Sequence, residues 1–126
     1  MIDHTGVPVS NLAKSIEFYR AALAPLGYEL IMQFPPGAPV AAGFGVGGKA
    51  DFWIHTDKVH ASSHVAFRAE KRSTVKDFYL AALASGGRDN GAPGVRAHYH
   101  EHYFGGFVLD PDGHNIEAVC HVPYLG

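Results

Sequence analysis

Ser15-Ile16-Glu17-Phe18-Tyr19-Arg20-Ala21-Ala22-Leu23-Ala24 and Val75-Lys76-Asp77-Phe78-Tyr79-Leu80-Ala81-Ala82-Leu83-Ala84 read as one segment written twice, 60 residues apart. The same offset lays His4 on His64 and Gly27 on Gly87, which makes eight identities without a gap. Self-similarity at a fixed period marks a chain assembled from repeated structural units. The 126 residues therefore divide into two copies of one unit, at about 1–57 and about 61–122, within a single domain spanning 1–126.

Working outward from the repeated segment, each copy has the periodicity of a helix. Leu12, Ile16, Tyr19 and Leu23 recur at helical spacing, Ser10 is placed to cap the first turn, and Gly27 supplies the stop. The second helix is predicted from Ser73 to Ala84, with Val75, Phe78, Tyr79, Ala82 and Leu83 as its apolar stripe. A β-prone strand precedes each helix, Ile2 to Val9 in the first unit and one opening His64-Val65-Ala66-Phe67 in the second. Three strands follow each helix. In the first unit they are Tyr28 to Phe34, Val40 to Val46 and Ala50 to His55. In the second they are a weakly marked one near Val95 to Tyr99, then Tyr103 to Leu109 and Asn115 to His121, with Asp110-Pro111-Asp112-Gly113 as the turn between the last two. The order βαβββ twice is an α+β arrangement in which helices cover one face of the sheets and the other face lines a cavity.

Strand alternation sorts the side chains. Ile116, Ala118 and Cys120 suit the helix side, which turns Glu117 to the cavity; Val65 and Phe67 do the same for His64, Ala66 and Arg68. Val7 and Val9 oppose His4 and Gly6, and Phe52 and Ile54 oppose Asp51, Trp53 and His55. His4, His64 and Glu117 are thereby expected on the cavity side. Two imidazoles and one carboxylate make an open ligand set with positions left for water or substrate, whereas a structural zinc site is more often closed by four ligands. Taken singly, the three residues read first as two hydrogen-bonded histidines and a Glu117–Arg68 ion pair; the repeat and the shared facing turn the reading to ligation. Trp53, His55, Arg68, Tyr103 and Phe107 are the expected pocket residues. His98, His100 and His102 alternate, either as a solvated edge or as a gate or acid/base group at the pocket mouth.

Composition narrows the partners. A net charge of −2 offers no electrostatic footing for nucleic acid or an anionic membrane. No apolar run approaches the roughly 18 residues that span a bilayer. Met1-Ile2-Asp3-His4-Thr5 lacks a basic segment followed by an apolar core, so no signal peptide is expected. Cys120 is the only cysteine, which excludes an internal disulfide framework and fits a cytoplasmic protein. The Gly43 to Gly48 cluster, without a following Lys-Ser/Thr or helix, is a sheet corner rather than a phosphate loop.

The motif His4-Thr5-Gly6-Val7-Pro8-Val9-Ser10-Asn11-Leu12 leading into Ser15-Ile16-Glu17-Phe18-Tyr19 bears a family resemblance. So do His64-Val65-Ala66-Phe67 and Asp110-Pro111-Asp112-Gly113-His114-Asn115-Ile116-Glu117. Together they resemble the vicinal-oxygen-chelate superfamily of glyoxalase I, fosfomycin-resistance thiol transferases, extradiol dioxygenases and bleomycin-resistance proteins. The resemblance implies the glyoxalase/bleomycin resistance/dihydroxybiphenyl dioxygenase fold, a curved sheet around a metal-containing cavity. It implies a divalent ion (Ni, Zn, Mn or Fe) on His4, His64 and Glu117, with Glu117 and His100 as catalytic candidates, and a homodimer. The substrate it implies is a small organic molecule chelating through vicinal oxygens in a lyase, isomerase or transferase reaction. Two departures qualify it. Trp53 falls where glyoxalase I has a further ligand, and Phe107 falls where extradiol dioxygenases have a tyrosine, although His98 or His100 lies at the spacing of their histidine. An extradiol-type dioxygenase and a metal-free, bleomycin-resistance-like binding protein remain the alternatives.

Overall fold

The computed structural model describes residues 1–123. The first unit runs β1 (Thr5–Val9), α1 (Leu12–Leu23), a 3-10 turn (Ala24–Leu26), β2 (Glu29–Phe34), β3 (Ala41–Val46) and β4 (Lys49–Thr56). The second runs β5 (His64–Arg68), α2 (Arg72–Ala84), β6 (Arg88–Val95), β7 (Phe104–Leu109) and β8 (Asn115–Cys120). Each unit makes one four-stranded sheet, ordered β1-β4-β3-β2 in the first and β5-β8-β7-β6 in the second. In both, the strand before the helix pairs in parallel with the last strand, and the other pairings are antiparallel. The expected α+β architecture of two βαβββ units is thus the architecture observed.

The registers of the two sheets correspond. Gly6 lies opposite Trp53 as Ala66 lies opposite Glu117. Gly43 is the neighbour of Trp53 on the other side, as Phe107 is of Glu117. Trp53 is therefore the first sheet's counterpart of Glu117.

The helix-covered faces carry the core. Val7, Val9, Phe52 and Ile54 from the first sheet and Val108, Ile116, Ala118 and Cys120 from the second are buried against Phe18, Tyr19, Leu23, Val75, Phe78 and Ala82 of the helices. Phe52 joins the halves, its ring 5.1 Å from Tyr19 and 5.2 Å from Phe67. Polar groups tie the units as well. Tyr19 donates its hydroxyl to buried Asp110 at 2.5 Å, and Ser10 donates its hydroxyl to Asp112 at 2.5 Å. Buried His114 accepts the Ser63 N–H on Nδ1 at 2.9 Å and approaches the Pro8 carbonyl with Nε2 at 2.6 Å, an arrangement that requires the proton on Nε2.

Four expectations change. Asn11, not Ser10, caps α1: its side chain accepts the Lys14 N–H at 3.1 Å, while Ser10 is drawn to Asp112 of the other unit. Helix α2 begins at Arg72, one residue before Ser73, and its cap position, Lys71, makes no side-chain cap bond. Strand β1 starts at Thr5, so His4 precedes it and strand alternation does not govern its direction. The strand expected near Val95 to Tyr99 instead occupies Arg88–Val95 and includes Gly91, Pro93 and Gly94. These residues are tolerated because β6 is an edge strand with breaks in its register against β7. The displaced segment forms turns, with Tyr99 N–H and His100 N–H both donating to the Arg96 carbonyl.

Candidate functional site

The open face of the second sheet holds the densest polar arrangement of the expected site. Glu117, in the middle of β8, alternates with Ile116 and Ala118, whose side chains pack in the core. Its carboxylate therefore faces away from α2, yet it is only 1% exposed. Across the parallel pairing, His64 at the head of β5 brings Nε2 to 2.9 Å from Glu117 Oε1. Tyr103, just before β7, donates its hydroxyl to Glu117 Oε2. Burial, and next the hydrogen bond to the Glu117 carboxylate, push the Tyr103 hydroxyl well above the ordinary tyrosine range, so it stays a donor at neutral pH. His64, Tyr99, Tyr103, Phe107, Asn115 and Glu117 together line a cleft of about 570 Å³.

The spacing of the pair is informative. Donor atoms bound at roughly 2.1 Å to one ion and at right angles to each other lie about 3.0 Å apart. His64 Nε2 and Glu117 Oε1, 2.9 Å apart, already have that separation. A neutral imidazole nitrogen and a buried carboxylate oxygen at such a distance suit a divalent cation as well as they suit a hydrogen bond.

The other expected residues are distributed around this pair. His4, with its side chain 62% exposed, is bonded through Nδ1 to Asp3 at 2.8 Å and does not line the Glu117 cleft. Among the described residues, no three His, Cys, Asp or Glu side chains of one chain converge to hold an ion. Tyr103 and Phe107 belong to the Glu117 cleft; Trp53 and His55 lie on the open face of the first sheet. The Trp53 ring lies across Gly43, where a Cβ would sit 2.9 Å from it, and half-exposed Met32 and Phe34 share that face through their pairing with Gly43 and Ala41. Arg68 lines an adjoining groove with Ala69, Glu70, His121 and Val122. His100 sits in the turn beyond β6, accepting the His102 N–H at 3.1 Å, with its ring 5.9 Å from His121. The alternating strand face expected for His98, His100 and His102 is absent because these residues turn rather than extend.

Asn115 shares its face with Glu117 by alternation and lines the cleft, although it is not among the expected pocket residues. One contribution escaped the sequence reading. Nothing in the sequence indicates that Tyr103, read there as pocket wall, reaches the second oxygen of Glu117, since it depends on a turn outside regular structure.

Paired units, matching registers and a cleft on one open face define a βαβββ-repeat protein of the glyoxalase type. The chain belongs to the Glyoxalase/Bleomycin resistance protein/Dioxygenase superfamily, whose family model matches residues 1–118. Among solved structures, a glyoxalase/bleomycin resistance protein from Albidiferax ferrireducens T118 is similar at 25% identity and a TM-score of 0.77, covering 93% of this chain and 96% of that one. A lactoylglutathione lyase from Agrobacterium tumefaciens shares the fold at 15% identity and a TM-score of 0.69, covering 94% of this chain and 92% of that one. TioX from Micromonospora sp. ML1 shares it at 16% identity and a TM-score of 0.70, covering 94% and 98%. No curated protein matches the chain. Among the described residues, no helix is long and apolar enough to cross a membrane.

Proposed function

We propose that the protein is a divalent-metal enzyme acting on a small organic substrate that chelates through vicinal oxygens, in a lyase, isomerase or transferase reaction. The observation that carries this reading is the His64–Glu117 pair, 2.9 Å apart on the floor of a cleft, with the carboxylate almost fully buried. A buried carboxylate needs a compensating charge or donors, and an ion is the strongest of these. The superfamily commonly binds divalent metals.

His64 and Glu117 would hold the ion from one chain, and His4 would complete the set. Since His4 stands apart from them within one chain, its part in the site calls for a second copy. A homodimer in which the first sheet's open face covers the partner's Glu117 cleft would also unite Trp53 and His55 with Tyr103 and Phe107. When bound, the ion would supply Lewis-acid stabilisation of negative charge developing on substrate oxygen. The chain's own residues contribute the rest. Phe107 and Tyr99 wall the cleft, Trp53 offers an aromatic surface for an organic body, and Tyr103 holds the Glu117 carboxylate in place.

One observation favours a second reading, a metal-free binding protein. Exposed Met32 and Phe34, with partly buried Trp53, form an apolar face to which an organic ligand could bind without chemistry. Plasma mass spectrometry on untagged protein separates the two. About one equivalent of Ni, Zn, Mn or Fe per chain is expected in the wild type and little in Glu117→Ala, since a metal site losing its only anionic ligand loses most of its affinity. Absence of metal from both, even after reconstitution, would leave the binding reading.

A further inference from the structure

We infer that Tyr103 is a positioning residue that limits Glu117 to ligation through one oxygen, and so sets how many positions the centre leaves to substrate. The inference rests on the metal-centre reading above. Glu117 has two carboxylate oxygens with different surroundings. Oε1 faces His64 Nε2 at 2.9 Å, whereas Oε2 accepts the Tyr103 hydroxyl.

Tyr103 reaches that oxygen because of its neighbours. Gly105 lies beneath both groups: a Cβ there would stand 3.0 Å from Tyr103 Cε1, 3.3 Å from Glu117 Oε2 and 3.4 Å from Phe107 Cε1. Only a residue without a side chain leaves this path uncrowded. The Tyr103 ring is braced on its other sides by Tyr99, at 5.0 Å between ring centres, and by His121, at 5.2 Å. Its hydroxyl is thus a fixed donor rather than one of many rotamers.

A carboxylate oxygen engaged by a fixed donor is withheld from an ion, and hydrogen bonds of this kind orient ligating carboxylates. Two histidines and a one-oxygen glutamate leave about three of six positions on an octahedral ion. Two of those accommodate a chelate through vicinal oxygens, with one to spare for water or a second reactant. Were Glu117 to bind through both oxygens, that spare position would be lost.

Tyr103→Phe keeps the ring and removes the donor. The full-length protein and this variant are loaded with Mn²⁺, and solvent-proton relaxivity per bound ion is measured beside binding stoichiometry. Relaxivity is expected to fall by about one third in Tyr103→Phe, as exchangeable positions drop from about three to two. Tyr103→Leu, which also lacks the hydroxyl, is expected to fall alike and guards against an effect peculiar to one variant. Unchanged or higher relaxivity at equal stoichiometry overturns the role of Tyr103 while leaving the centre in place. A wild type that binds no Mn²⁺, or binds it equally after Glu117→Gln, overturns the centre and this assignment with it.

Discussion

Tyr28 shows how a single residue records its surroundings. Burial first, and then the hydrogen bond to the Asp51 carboxylate, push its hydroxyl up to about 12. Asp51 is delivered there by a register break in β4: Phe44 pairs with Phe52 and Gly45 with Ala50, which leaves Asp51 between them as the extra residue. The sign follows from linkage. In the unfolded chain Tyr28 ionises near 10, so its contribution is complete below that pH and is lost as pH rises toward about 12. Denaturant titrations at several alkaline pH values should show a shallower decline for Tyr28→Phe than for the wild type; equal slopes would contradict the assignment. Asp51 also marks a limit of strand alternation. Counting by twos gave it the direction of Trp53 and His55, but a bulge breaks the count and no sequence feature announces it. The same rule served Glu117 well, because β8 runs without a break from Asn115 to Cys120.

At the scale of elements, the two helices differ in how they start. Asn11 satisfies a free N–H at the beginning of α1, whereas Lys71 offers α2 no such bond. Asn11→Ala is therefore expected to lower the unfolding free energy by about 1 kcal/mol, read as a shifted denaturation midpoint at unchanged slope. Both helices were legible because their apolar spacing is repeated 60 residues apart. Strand β6 was not. Its Asp89, Asn90, Gly91, Pro93 and Gly94 favour turns; the strand is held by pairing of Asp89, Gly91 and Gly94 along β7 and by side-chain bonds from Tyr79 to Asp89 and from Asn90 to Asn115. That displacement carries consequences for the site, because it moves His98, His100 and His102 from a strand into the turn that delivers Tyr103.

For the whole molecule, the two units are joined by more than apolar contact. Tyr19 reaches from α1 to Asp110, a carboxylate with no exposure that also accepts the Asp112 and His114 N–H groups. Tyr19→Phe removes one donor from this buried acid without changing the ring packing. A loss of about 1–3 kcal/mol is expected, with unfolding still a single transition seen alike by tryptophan fluorescence and circular dichroism. Two separate transitions would mean that the units fold independently and that these bonds join finished halves.

The sequence by itself determined the repeat, the βαβββ order, the core faces and the shared facing of His64 and Glu117. The order and the facings follow from local periodicity, a property of the chain read a few residues at a time, and the repeat from the chain's likeness to itself 60 residues on. Tertiary structure decided what depends on distant segments meeting. It drew Ser10 away from its helix to Asp112, placed His114 between Ser63 and Pro8, set Trp53 against Gly43, and closed Tyr103 over Glu117. It also left His4 apart from the two residues with which its spacing groups it. The repeat makes His4 and His64 equivalent in sequence, but each sheet carries its own open face, and equivalent places on two faces need not meet within one chain.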